Sequence, residues 1–283
     1  MKTYLLMLVI LTSLALISCS PEPGKSDNQT SDAAESQIAQ TATPEVVPST
    51  PSCSFKMGFD VWEPYQYVDV DGVVRGLDIE LISNVLDDIG CQAEFVQGTW
   101  VNLLEDLRNG DVDMLLGASK TDAREEFAYF SEPYRMEEFS LYIRKDDPKR
   151  AAYDDIDAFI ANGSKIGVVG DYYYGPRISI LLDGNATSKF FVSGIMGELN
   201  VARLLDMDID GFLEDSFVGA SMLRRKALGD YIVAHGFTVE TGDIYVMFSR
   251  ASVTEEQVNT FSQALDTFKN SASYTEIVGK YSQ

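Results

Sequence analysis

The chain has 283 residues, with 22 Lys and Arg against 44 Asp and Glu, one His and three Cys, for a formal charge of −22 at pH 7. That charge repels phosphate backbones and anionic headgroups and argues against nucleic-acid binding and polybasic membrane attachment. One His and no cysteine cluster leave little for a zinc site, and an apolar fraction of 45% suits one or two globular domains.

Lys2 precedes an apolar run from Tyr4 to Ile17, the length of a secretory core and short for a bilayer span. The run ends Leu16, Ile17, Ser18, Cys19, which resembles a bacterial lipobox. On that reading residues 1–18 are a signal peptide and Cys19 is lipidated, so the product is exported and anchored to a membrane without spanning it. An ordinary signal peptide with an incidental Cys is the competing reading. From there to residue 52 the composition is Pro, Ser, Thr, Gln and Asp without an aromatic. Such a segment buries too little apolar surface to offset its ordering entropy, so residues 19–52 are expected to form a flexible tether.

The folded part is expected to begin at Cys53. Residues 54–59 and 92–97 read as strands, and between them Leu81, Ile82, Val85, Leu86 and Ile89 fall on one helical face before Gly90. In a strand-helix-strand unit the two strands are usually parallel neighbours with their leading ends together. That places Cys53 near Cys91 and predicts a disulfide, against the alternative of two buried thiols. Trp100, Leu103, Leu104 and Leu107 repeat the helical spacing, and 112–116 reads as the next strand. A second set follows the charged stretch Arg144 to Arg150: strands over 165–169, 189–193, 211–213 and 231–234, with helices over 195–205 and 216–226. A strand over 243–249 and helices over 254–269 and 273–281 close the chain. The alternation predicts an α/β protein of two lobes, 53–143 with 243–283 and 144–242 with the hinge segments, each a mixed, mostly parallel sheet flanked by helices. Ligands of such sheets lie beyond the carboxyl ends of the strands.

The most informative segment is GASKTDAREE, Gly117 to Glu126, directly after the third strand. Thr121 is a plausible N-cap, which puts Arg124 at the third helical position, where the dipole favours an acid. A cation there makes sense if an external anion docks at the helix start with Arg124 as a bidentate clamp and Ser119 as a hydroxyl donor. A surface Arg paired with neighbouring Glu residues is the plain alternative.

In order, GFDVWEPYQYVDVDG (58–72), GLDIELISNVLDDIG (76–90), NGDVDMLLGASKTDAREE (109–126) and FSEPY (130–134) resemble the first lobe of the bacterial extracellular solute-binding proteins of family 3. KIGVVGDYYYG (165–175) and DGFLEDS (210–216) resemble the second lobe more loosely. The resemblance implies a type II periplasmic-binding-protein fold and a monomer that captures a small polar amino acid or similar zwitterion for an ABC importer, with no cofactor and no bond chemistry. Carried over by position, it puts the ligand carboxylate on Ser119 and Arg124 and the ammonium on Asp215, which also suits an N-cap. It puts enclosing aromatics on Trp62 and Trp100, and a side-chain contact on Asp60, otherwise a turn residue. Asp171 stands where the family usually has Gly, and Tyr172, the next residue, joins the expected ligand contacts; the change could favour a cationic or larger ligand. A cyclohexadienyl-dehydratase-like enzyme and a ligand-presenting sensory protein are the alternatives on the same fold.

Three features are weaker. Asp206, Asp208, Asp210 and Gly211 open like a calcium loop, yet the twelfth position is Phe217 rather than Glu. Asp69, Asp71 and Gly72 suit a polar turn. His235, the single His, has no nucleophile partner in sequence and reads as structural.

Overall fold

Glycine is required where the first helix begins. Gly76 has φ 133°, and a Cβ there would lie 2.0 Å from the carbonyl oxygen of Tyr65. The computed structural model describes residues 53–281; the expected signal peptide, Cys19 and the tether lie outside the described residues. In chain order the elements are β1 (Cys53–Phe59), β2 (Tyr67–Val68), β3 (Val74–Arg75), α1 (Leu77–Asp88), β4 (Cys91–Gln97), α2 (Trp100–Asn109), β5 (Met114–Ser119), α3 (Asp122–Glu125), β6 (Ala128–Phe130) and β7 (Arg135–Arg144). There follow α4 (Pro148–Ala151), α5 (Ile156–Ala161), β8 (Ile166–Val169), α6 (Gly175–Asp183), β9 (Phe191–Gly194), α7 (Gly197–Leu205), β10 (Gly211–Asp215), α8 (Ser216–Arg225), β11 (Ile232–Ser249), α9 (Glu255–Lys269) and α10 (Ala272–Tyr281).

One sheet runs β4-β1-β5-β11-β7-β10-β8-β9, with β6 added against β11. Its two ends are parallel, β4/β1/β5 and β10/β8/β9, and its middle is antiparallel through β11 and β7. Helices cover both ends. Phe55, Met57, Ile82, Leu86, Phe248 and Phe261 lie in the core of the first end, and Phe139, Phe159, Ile166, Tyr174 and Leu213 in that of the other.

The expected strand-helix-strand unit is present. Its register sets Cys53 against Cys91, and the two are disulfide-bonded. Several expected elements differ. The separate strands over 231–234 and 243–249 are one strand, β11, whose pairing with β7 shifts between Ala234 and Thr238 and again before Gly242. Those shifts break the alternation by which a strand is recognised. The strand expected from Lys189 starts at Phe191, after a 3-10 turn over Ser188–Phe190. Asp69 accepts from the backbone N–H groups of Asp71 and Val73 and pairs with Arg75, which is the polar turn joining β2 to β3.

The bridge closes a 38-residue separation, for which loop entropy in the unfolded chain corresponds to about 3–4 kcal/mol. Replacing Cys53 and Cys91 together by Ala is expected to lower the unfolding free energy by about that amount, read as a lower urea midpoint. Thiol labelling of unfolded, unreduced protein is expected to leave both cysteines unmodified.

Candidate functional site

Arg124 is fixed by local chemistry. Thr121 caps α3 by accepting from the Arg124 N–H, and the side chain folds back so that Nη1 donates to the Ser119 carbonyl at 2.8 Å. Nη2 donates to the Asp171 carbonyl at 2.8 Å, and the guanidinium lies 5.2 Å from the Trp100 ring centroid. Both acceptors are neutral. Arg124 is 8% exposed and makes no ion pair among the described residues; Lys120, not Arg124, pairs with Glu125. Burial lowers its pKa to about 10, against the opposing pull of Glu137 and Asp171.

Asp171 and Trp100 come from opposite ends of the sheet and meet here. Asp171 has φ 58°, a left-handed conformation that favours glycine, and its carbonyl also accepts from Trp100 Nε1 at 3.2 Å. Tyr172 then places its ring 6.1 Å from Trp62 and 6.0 Å from Trp100, edge-on to both. Asp60 follows β1; its Oδ1 accepts from Val61 N at 2.7 Å and its Oδ2 from Trp100 N at 3.1 Å, so it caps the start of α2. Burial raises its pKa, with Glu198 adding to the shift.

Asp60, Trp62, Trp100, Ser119, Arg124 and Tyr172 thus line one cavity, partly open to solvent. Asp215 is placed differently. It lies at the end of β10, where Oδ1 accepts from Phe217 N and Val218 N at 2.8 and 2.9 Å, and Tyr65 Oη is 3.4 Å from Oδ2. It caps α8 and is not among the residues lining the cavity.

Lining residues that carried no site expectation include Gln66, Glu137 and Phe139. Glu214, beside Asp215, reaches across and accepts from Trp62 Nε1 at 3.0 Å. Burial pushes Glu137 and Glu214 up to about 8 each, and Asp215 to about 6. Behind the cavity Arg135 pairs with Asp78, at 2.9 and 3.2 Å, reaches Glu137 at 3.9 Å, and packs 3.8 Å from the Tyr65 ring centroid. Besides Arg124, the charged residues lining the cavity are Asp60 and Glu137, both acids.

The other sequence features lie elsewhere. Asp210 accepts from Lys165 N and pairs with Arg144 and Arg150, the latter at 2.6 Å. His235 packs against Phe159 and Phe237, with Nε2 3.3 Å from the Arg150 carbonyl.

The folded state holds protons on Glu137 and Glu214 up to about pH 8, whereas the unfolded chain releases them near 4.5. Between those values the native state binds more protons, so these acids make stability fall as pH rises. Without added solute, the thermal midpoint is expected to drop from mildly acidic to mildly alkaline pH, and Glu214→Gln to flatten that drop. An unchanged pH profile in the variant would remove Glu214 as a cause.

Comparisons with known proteins bear on the family and the fold. The family model of the bacterial extracellular solute-binding proteins, family 3, matches residues 55–283. A probable histidine-binding protein of Neisseria gonorrhoeae is 28% identical over 221 residues, covering 77% of this chain and 78% of the relative. A second probable histidine-binding protein, from Campylobacter jejuni, is 23% identical and covers 99% of both chains. Among solved structures, an ancestral arginine-binding protein bound to arginine superposes with a TM-score of 0.70 at 16% identity, covering 81% of this chain and 98% of that one. The last likeness establishes the fold, that of the type II periplasmic binding proteins.

Proposed function

The chain belongs to the bacterial extracellular solute-binding proteins of family 3, and from that membership we propose that it captures an amino acid with a cationic side chain and delivers it to an ABC importer. One observation carries the choice of ligand. A buried guanidinium with no ion pair among the described residues shares its cavity with two acids, Asp60 and Glu137, and Glu214 accepts from Trp62, which lines the same cavity. Desolvated charge of either sign is costly until matched. A ligand with one carboxylate and two positive groups matches both sides at once. The names of the Neisseria and Campylobacter relatives, histidine-binding, and of the arginine-bound ancestral protein point to the same class.

In this reading Arg124 and Ser119 hold the carboxylate, Trp62, Trp100 and Tyr172 exclude water around the side chain, and Asp60 meets its distal charge. Residues 53–143 with 243–283 and residues 144–242 act as two lobes, and β7 with β11 connects them. Ligand contacts made to both lobes favour the closed arrangement by their difference in free energy between the two states. Micromolar affinity corresponds to about −8 kcal/mol, a surplus within reach of a few buried charge-assisted bonds after ordering costs. The apolar leader and Cys19 give export and a lipid anchor that keeps the protein beside its importer as a monomer. No bond is made or broken.

A calorimetric panel of amino acids is expected to show arginine, histidine or lysine binding best, and Arg124→Ala to weaken the best of them by about 100-fold or more. Unchanged affinity in the variant would remove Arg124 from the site. Arogenate and prephenate are expected to remain intact on incubation, and their turnover would overturn the binding-only reading.

A further inference from the structure

Glu214, the penultimate residue of β10, is 2% exposed and makes no ion pair among the described residues. Its Oε1 accepts from two neutral donors, the Asp215 backbone N–H at 3.1 Å and Trp62 Nε1 at 3.0 Å. Its Oε2 lies against Gly197 at the start of α7, so close that a Cβ there would sit 2.0 Å away. The Asp215 and Gly197 contacts are made within residues 144–242, whereas the indole comes from the other proposed lobe. Trp62 is therefore the part of the enclosure that opening would remove.

The surroundings of Glu214 are acidic or neutral. Asp215 faces it from its own strand, Glu198 from α7, Tyr172 and Tyr174 from the segment before α6, and Tyr142 from β7. Asp60, Glu63 and Arg225 line the same cavity as Glu214, and Arg225 pairs with Glu63 at 3.1 Å. An acid enclosed without a counter-ion is held neutral at less cost than ionised, and one open to water ionises in the ordinary carboxylate range.

We propose that Glu214 is a proton-linked latch: closing the lobes brings the Trp62 indole onto its carboxyl and draws one proton from solvent onto that group, and opening returns the proton. This rests on the two-lobe reading above and adds a control of closure to it. The protonated carboxyl keeps Oε1 as an acceptor for the indole. Burial raises its pKa to about 8 against the opposing Trp62 hydrogen bond, with Asp215 and Glu198 adding to the rise. The closed form thus binds a proton that the open form releases, so closure is favoured below about pH 8 and loses that support as pH rises through it. Trp62 also lines the cavity that holds Arg124, so the latch fixes one wall of the ligand site.

The chain has two tryptophans, so nitrogen-15 NMR shows two indole N–H resonances, and Trp62→Phe identifies that of Trp62. Without added solute, the Trp62 resonance is expected to titrate with a midpoint near pH 8 in the wild type and in Glu137→Gln, and to stay flat in Glu214→Gln, where a neutral amide still accepts from the indole. A flat wild-type resonance between pH 6 and 9 would overturn the latch, a result that needs no variant to fold, and so would an unchanged titration in Glu214→Gln. In calorimetry with arginine, the wild type is expected to bind about tenfold more weakly at pH 8.5 than at pH 6, and Glu214→Gln to change by less than about threefold. Equal weakening in both proteins, or none in the wild type, would overturn the link to closure. Failure of the wild type to bind any amino acid would defeat the amino-acid reading, while the indole titration would still decide the latch.

Discussion

A buried guanidinium whose side-chain hydrogen bonds, among the described residues, go to two carbonyl oxygens governs the arrangement of the rest. Removing a cation from water without a counter-ion costs several kcal/mol, and neutral acceptors recover part of that. The fold accepts the cost because Arg124 is held from three sides: by the Thr121 cap, by the Ser119 carbonyl at the end of β5, and by the Asp171 carbonyl from the other end of the sheet. The last contact crosses between the two proposed lobes. In the proposed reading closure and completion of the anion site would be one event, since parting the lobes would remove an acceptor from Arg124 and admit water to the cavity.

The acids opposite give the site its second requirement. Glu214 reaches Trp62 across the cavity, Tyr65 reaches Asp215, and Arg225 pairs with Glu63 at 3.1 Å. Each of these contacts joins groups from different ends of the sheet, and two of them engage an acid whose pKa is raised by burial. A protonated carboxyl can lie in an apolar wall at modest cost, and an incoming ammonium or guanidinium makes the ionised form favourable again. In the proposed reading the acids would select for positive charge without holding an unpaired negative one.

Much of the fold was legible because local and tertiary preferences agree. The apolar face of α1, the Gly90 stop and the parallel pairing that joins Cys53 to Cys91 all follow from spacing alone. Thr121 and Arg124 were legible for the opposite reason: a cation at a helix start contradicts the dipole, and such contradictions mark sites. Two things were hidden. The central strands β6, β7 and β11 carry charges and register shifts, so the stretch Arg135-Met136-Glu137-Glu138 reads as a solvated face. Yet Arg135 and Glu137 are buried, because Asp78 on α1 and Thr241 on β11 supply partners distant in sequence. Glu214 was hidden likewise, since its partner Trp62 is 152 residues away. The helix-capping role of Asp215 could be read locally, whereas the environment of Glu137 and Glu214 is created only by the folded chain.

Asp171 shows how one backbone conformation joins these strands of argument. A left-handed residue other than glycine carries a penalty of roughly 1–2 kcal/mol, and the family's usual Gly would avoid it. What the site uses at this position is the main chain: the carbonyl serves both Arg124 and Trp100, and the turn delivers Tyr172 between the two tryptophans. The side chain adds what glycine cannot, a negative charge that acts on Arg124 from outside the cavity lining. That charge partly compensates the buried cation before any carboxylate arrives, which lowers the cost of closing over the site. The same charge also competes with the ligand carboxylate for Arg124, so the gain in closing is balanced by a weaker demand for the anion. In the proposed reading a ligand with extra positive charge suffers least from that exchange, which ties the departure at Asp171 to the acids Asp60 and Glu137 of the same cavity.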